Sequence, residues 1–295
     1  MLEYKATLSR FISPDRHAYY RALMPNIKIS KEIRTCLGDN STKLSGHRPD
    51  EDFGWDKQQA LDDLAKQLEH VAALQDRFFA ASESALLIVI QAMDAGGKDG
   101  VIRSVMTGVN PAGIIVRPFG VPSEEERAHD FLWRVHAHCP PKGMIGIFNR
   151  SHYEDVLVVR VKQLAPKAVW KRRFDHIRNF EQMLGDEGTH VVKLFLNISR
   201  EEQRARLQDR IDDPTERWKF RLGDLDDRAL WDEYQDAFQE AIRKTSTEAA
   251  PWYVVPADHK WVRNLVIAKI LREQLERIDP QYPPAEEGIE GTKVT

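Results

Sequence analysis

Between Ala92 and Gly100 the chain reads Ala-Met-Asp-Ala-Gly-Gly-Lys-Asp-Gly, directly after the apolar run Leu86–Ile90 and before Val101–Met106, which can begin a helix. Strand, glycine-rich loop and helix in that order suit a phosphate cradle. Glycines let backbone N–H groups turn into a concave anion nest, the helix N-terminus adds positive potential, and a lysine placed like Lys98 reaches terminal phosphates. Gly96, Gly97, Lys98, Asp99 and Arg103 are therefore phosphate-binding candidates. The loop departs from the usual pattern, with Ala92 for the first glycine and Asp99 where Ser or Thr commonly helps to hold magnesium. Asp94 sets a carboxylate among anion-binding groups, where phosphate repels it unless a cation bridges the two. Asp94 is accordingly expected to work through Mg²⁺. The plain alternative is a glycine-rich strand-to-helix turn with surface charges.

A second cluster, Phe148-Asn-Arg-Ser-His-Tyr-Glu-Asp155, ends another apolar run. In open α/β sheets ligands bind at that edge. Arg150 can neutralise charge on a transferred phosphoryl group, and Glu154 or Asp155 can hold a metal; an ordinary solvated turn is the competing reading. Arg117-Pro-Phe-Gly-Val-Pro122 offers an arginine for phosphate and, in Phe119, an aromatic ring for a nucleobase, so Arg117, Phe119 and Pro122 are nucleotide-binding candidates. A buried turn phenylalanine fits equally well. The third cluster, Arg210 to Arg221, mixes Arg210, Arg217, Lys219 and Arg221 with Trp218. Such a segment can close over phosphate and exclude water, although Asp212, Asp213, Glu216, Asp224, Asp226 and Asp227 also permit a salt-bridged surface. His136, His138 and His152 lack metal-ligand spacing and are expected as polar neighbours of the cleft.

These clusters need a scaffold. The runs Leu86–Ile90, Ile114–Val116, Met144–Phe148, Val191–Leu196 and Trp252–Val255 alternate with helical stretches, which predicts an α/β domain with a parallel sheet. Leu61, Leu64, Leu68, Val71, Leu74 and Phe78 recur at helical spacing and predict an amphipathic helix over 56–79 that packs on the sheet. Ser199-Arg-Glu-Glu202 fits a capping box. Val156–Val161 is β-branched, yet the βα order favours helix there. Residues 1–54 read as an arm that wraps the domain or contacts a neighbouring subunit, 55–280 as one domain with a lid over about 211–228, and 281–295 as a disordered polar tail.

Composition sets wider bounds. A chain of 295 residues, 42% hydrophobic, can bury one sizeable core, and a net charge of −3 supplies no general attraction to nucleic acid or anionic membrane. Two distant cysteines, no signal-like N-terminus and no apolar run approaching the ~18 residues of a membrane span point to a cytoplasmic protein with reduced thiols.

Taken together, Met93–Lys98, Asn149–Glu154 and Asp213-Pro with Trp218-Lys219, accompanied by Arg117–Phe119 and Phe131–His136, resemble the polyphosphate kinase 2 family, over roughly Gly54 to Asp279. The resemblance implies a P-loop kinase fold like that of thymidylate kinase, a three-layer sandwich with a helical lid over a polyphosphate channel. It also implies Mg²⁺-dependent phosphoryl transfer between inorganic polyphosphate and adenine nucleotides, in a homo-oligomer. Asp94, Lys98, Arg150 and Glu154 would be catalytic, with Asp94 and Glu154 the metal-side carboxylates and Arg210 and Lys219 reaching in from the lid. Asn149 stands where many relatives have Asp, Glu216 where a lysine is frequent, and Glu154 where relatives restricted to nucleoside diphosphates commonly have Asn. The Asn-Arg-Ser-His-Tyr-Glu variant is similar to the class III subgroup, which phosphorylates both AMP and ADP. An ATP-dependent nucleoside monophosphate kinase is disfavoured by the altered loop, and an inactive nucleotide-binding protein by the retention of Asp94, Lys98 and Arg150.

Overall fold

A computed structural model describes residues 30–289 and 291–294. Residues 1–29, the greater part of the expected arm, lie outside the described residues. Six strands form one sheet: β1 Leu37–Gly38, β2 Ala85–Ala92, β3 Ile114–Pro118, β4 Ile145–Asn149, β5 Thr189–Asn197 and β6 Trp252–Pro256, in the spatial order β1-β6-β5-β2-β4-β3. All pairings are parallel except that of β1 with β6. The five apolar runs of the sequence are the five parallel strands. Strand β1 carries no sequence signal, because two residues show no periodicity and are a strand only through their pairing with β6.

The longer helices are α1 Lys31–Cys36, α2 Lys57–Ala81, α3 Lys98–Val105, α4 Lys167–Asp186, α5 Arg200–Asp212, α6 Gly223–Ala229, α7 Trp231–Thr245 and α8 Lys260–Ile278. Val158–Val161 is a single helical turn, as the βα order predicted against its β-branched composition. Helix α2 starts at Asp56, whose carboxylate accepts from the Gln59 N–H, and ends at Ser82 in the left-handed region. It runs along α8, where Lys269 pairs with Asp63 at 3.0 Å and Arg272 donates to Gln67. Leu61, expected on its buried face, is exposed. Ser199 caps α5 as expected, but Glu202 turns to Arg206 at 2.8 Å and does not close a capping box.

Strand β2 is buried along its whole length and sits at the sheet centre, with β4 on one side and β5 on the other. The chain visits β3 and β4 on one side of β2 before crossing to β5 and β6, so a crevice opens where the strand order reverses, at the carboxyl ends. Ile90 pairs with Asn149 and Ala92 with Leu196. This register puts the loops after β2 and β4 side by side. Among the described residues, no helix is long and apolar enough to cross a membrane.

One feature of the core runs against its apolar pattern. Lys193 in β5 is fully buried and donates to Glu181 of α4 at 2.5 Å, to the Tyr153 hydroxyl at 3.1 Å and to the Thr245 carbonyl at 2.8 Å. Tyr153 donates to Glu181 at 2.8 Å, and His152 Nε2 lies 3.3 Å from the same carboxylate. Burial pushes the Glu181 carboxyl up, but the Lys193 charge and the hydrogen bonds from His152 and Lys193 outweigh it and hold the group below the usual range. Stability from this group is present above the unfolded carboxylate pKa of about 4.3 and is lost as pH falls through the lower folded value. Because a buried ion left alone is costly, Glu181→Gln is expected to lose about 3–5 kcal/mol of unfolding free energy in urea at pH 7. The variant should also lose less than the wild type on acidification below about pH 4. A loss under about 1 kcal/mol would show that the pair is stabilised by something other than its charges.

Candidate active site

The loop after β2 folds back on itself, with the Gly96 N–H donating to the Met93 carbonyl at 3.0 Å. Ala95 and Gly97 adopt φ of 59° and 96°. Gly97 is the N-cap of α3 and provides no side-chain cap, so the first N–H groups of that eight-residue helix face the loop without a side-chain acceptor. The left-handed backbone favours glycine there, and a Cβ would stand 2.1 Å from the Arg263 Nη1, so that guanidinium would have to shift. Lys98 curls back and donates to the carbonyls of Ala92 at 3.1 Å and Met93 at 3.4 Å. Burial, reinforced by the Arg150 charge and opposed by Asp94, lowers its pKa to about 8.

Across the crevice, β4 ends at Asn149, whose amide donates to Asp99 at 2.6 Å and ties the two loops together. Arg150 follows at φ 63°, with its own N–H donating to the Ile90 carbonyl at 3.1 Å. A non-glycine residue in this region costs about 1–3 kcal/mol and persists where its surroundings impose it. Here the result is a guanidinium aimed into the crevice. Its Nη2 donates to Asp94 Oδ1 at 2.7 Å, and its Nη1 is 3.7 Å from Glu154 Oε2. Ser151 Oγ accepts from Gln91 and from the Tyr153 N–H, fixing the turn that carries Glu154. Burial raises the Glu154 carboxyl above its usual range, against the Arg150 and Lys98 charges. Asp94, Lys98, Arg150 and Glu154, expected together from the sequence, are brought together.

Two functional candidates escaped the sequence reading. Asp227 and Tyr234 line the cavity beside Asp94, Arg150 and Glu154. Tyr234 donates to Asp227 at 2.9 Å, and Lys162 pairs with the same carboxylate at 2.8 Å. Asp227 is one of six acids that the sequence offers in and beside the segment Arg210 to Arg221, and nothing in that pattern distinguishes the inward-facing one; Tyr234 carries no sequence signal. Asp224, from the same acid group, is also buried, and burial followed by the Asp94 charge raises its pKa.

The remaining candidates are farther out. Arg210 is half-buried, 4.0 Å from Asp224. Lys219 donates to Glu216 at 2.6 Å and lies over the ring of Trp218, which is 78% exposed. Arg103 is exposed on α3. The Arg117 Nε is buried and has no partner among the described residues, and the Pro122 carbonyl accepts from Arg127. Phe119 is 4% exposed, edge-on to Phe148 at 4.8 Å and beneath the Arg134 guanidinium at 5.2 Å. This burial favours the packing alternative over base stacking for Phe119. His152 is likewise corrected: it is buried against Glu181, and its Nδ1 has no partner among the described residues.

For a divalent cation the donor chemistry is suitable but incomplete. No group of three metal-ligating side chains occurs among the described residues. Asp94 and Glu154 provide two hard oxygen donors beside the phosphate loop, the mode in which Mg²⁺ takes one or two carboxylates and completes its shell with phosphate oxygens and water.

The profile of the Polyphosphate kinase 2 family matches residues 54–283. An AMP/ADP-polyphosphate phosphotransferase of Meiothermus ruber is 55% identical over 254 residues, which are 85% of this chain and 95% of the relative. An ADP-polyphosphate phosphotransferase of Rhodopseudomonas palustris is 44% identical over 75% of this chain and 80% of its own length. Among solved structures, polyphosphate kinase 2 from Arthrobacter aurescens TC1 superposes with a TM-score of 0.84 at 40% identity, covering 87% of this chain and 93% of that one.

Proposed function

The chain belongs to the polyphosphate kinase 2 family, and we propose on that footing that it transfers phosphoryl groups between inorganic polyphosphate and the adenine nucleotides AMP and ADP. The observation that carries the reading at residue level is the Arg150 guanidinium held between Asp94 and Glu154, opposite Lys98. Phosphoryl transfer asks the protein mainly for positioning and for charge stabilisation along the line of displacement. In this proposal the loop N–H groups and Lys98 bind the phosphate chain, while Arg150 exchanges part of its contact with Asp94 for the transferred phosphoryl oxygens. Arg210 and Lys219 close from the lid, where Lys219 must leave Glu216 to meet phosphate. Asp94 and Glu154 would hold the divalent cation, Mg²⁺ in our reading, which when bound neutralises charge between carboxylates and phosphates.

The cytoplasmic setting belongs to the same proposal, supported by two unpaired cysteines and by substrates found with nucleotide pools. Self-association is also part of it; the exposed Ile115 and Val116 of edge strand β3 support a covered face.

The acceptor range is carried by Glu154. AMP ends one phosphate short of ADP, so transfer to AMP needs the donor chain or the acceptor to shift. A carboxylate here, 3.7 Å from Arg150, can support a second cation that places the shorter acceptor in line. Glu154→Asn is expected to lower kcat/KM for AMP at least tenfold more than for ADP at saturating polyphosphate, tenfold being about 1.4 kcal/mol of differential positioning. An unchanged AMP-to-ADP ratio would reduce Glu154 to an ion-pair partner of Arg150.

A further inference from the structure

Behind the phosphate loop two guanidinium groups converge on Gly97. Measured from the position a Cβ would take there, Arg263 Nη1 is 2.1 Å away and Arg206 Nη1 3.5 Å. The two arginines are provided for very differently. Arg206 pairs with Glu202 at 2.8 Å and donates to the carbonyls of Ala95, Ala257 and Asp258. Arg263, only 3% exposed, donates from Nε and Nη2 to the neutral side-chain oxygen of Asn264. Its Nη1, the atom nearest the loop, has no hydrogen-bond partner among the described residues, and no carboxylate forms a salt bridge with it.

An almost fully buried cation without a counter-ion is unfavourable in the empty protein. Burial, followed by the like charge of Arg206, lowers the Arg263 pKa to about 10, the direction expected for a cation in want of an anion. The missing charge has an obvious source. Gly97 begins α3 and is the last residue before Lys98, so only a glycine without a side chain separates the guanidinium from the groups that face a bound phosphate.

We propose that Arg263 is a built-in counter-charge for the phosphate chain, a positioning residue that acts across Gly97 on the anion held by the loop. The inference rests on the phosphate-loop reading above and deepens it. A chain of phosphates bound at the N-terminus of α3 satisfies the Arg263 charge, and in return the charge tightens the loop around the chain. It follows that removing Arg263 costs little when the loop is empty and much when it is filled, the opposite of what a purely structural arginine does.

The test uses Arg263→Met and Arg263→Lys in the full chain, with inorganic tripolyphosphate and ADP as separate probes in the presence of Mg²⁺. Wild-type protein should gain thermal stability from tripolyphosphate, from ADP or from both. Arg263→Met is expected to melt no lower than wild type without ligand, yet to bind the stabilising probe about tenfold more weakly, the scale of one charge-assisted interaction. Its KM for that substrate should rise by the same factor, with kcat changed less than about threefold. A loss confined to tripolyphosphate places the donor chain on the loop, and one confined to ADP places the nucleotide there; both support the assignment. Arg263→Lys, which keeps the charge, should bind within about threefold of wild type. If Arg263→Met melts lower while its affinity for both probes is unchanged, Arg263 is a packing residue and the proposal fails. Should Arg263→Met not fold, an Arg263→Lys variant that loses tenfold or more would overturn it equally. A wild-type protein that gains nothing from either probe would overturn the phosphate-loop reading itself, and this inference with it.

Discussion

Lys98→Ala is expected to lower kcat about 10²- to 10³-fold, the effect of deleting one preorganised group that stabilises charge in a water-poor site. The fold should survive the change. Among the described residues, the Lys98 ammonium is bonded only to the Ala92 and Met93 carbonyls, and burial already disfavours its charge. Removing it relieves that desolvation, so the unfolding temperature should stay the same or rise while turnover falls. Lys98→Arg should not rescue turnover, because a planar fork does not occupy the place of a compact ammonium between two carbonyls. Asp94→Asn should fall by a comparable factor for a different reason: it keeps the shape of the Asp94–Arg150 contact at 2.7 Å but loses the charge on that carboxylate. Turnover within threefold of wild type in either well-folded variant would remove that residue from the site.

Chelation of divalent cations is expected to abolish turnover, and Mg²⁺ to restore it. Asp94 and Glu154 both line the cavity in which the proposed mechanism seats phosphate, with the Arg150 guanidinium between them. Two unit charges of like sign 4 Å apart repel by about 4 kcal/mol at an effective dielectric near 20, close to a thousandfold in rate if the repulsion is not relieved. In the proposed mechanism Arg150 cannot relieve it alone, since it also serves the transferred group. Full turnover in excess EDTA would show that the carboxylates do not act through a metal. A chelator-induced fall in tripolyphosphate affinity, measured without turnover, would separate a metal that aids binding from one that aids only the chemical step.

Much of the scaffold was legible in the sequence, and the exceptions have physical causes. A strand buried on both faces is a continuous apolar run, which is how β2, β4, β5 and β6 appear, while edge strand β3 is apolar in sequence but largely exposed. β1 escapes because its two residues become a strand only through their pairing with β6. The four residues at the centre of the site were legible because a strand-loop-helix sequence and a polar stretch at the end of a second strand name the same sheet edge. Phe119 stayed open between base contact and turn packing because sequence shows that an aromatic leaves a strand but not that Phe148 and Arg134 pack against it. Asp227 and Tyr234 were missed because the orientation of the lid acids is decided by how α6 and α7 pack. Arg263 left a faint trace: it is one of few charges in the first half of a helix whose Val262, Leu265, Val266 and Ile267 are all buried. An arginine flanked on its helix face by buried apolar residues is a candidate for a buried role.

The most direct measurement of the central claim is a comparison of phosphoryl donors. Purified protein is incubated with Mg²⁺ and either AMP or ADP, once with inorganic polyphosphate and once with ATP as donor to AMP, and the nucleotides are resolved by anion-exchange chromatography over time. The account predicts ADP formed from AMP and ATP formed from ADP when polyphosphate is present, with transfer from ATP to AMP at least a hundredfold slower, about 2.7 kcal/mol in barrier height. Transfer to AMP from ATP, with none from polyphosphate to either nucleotide, would contradict it.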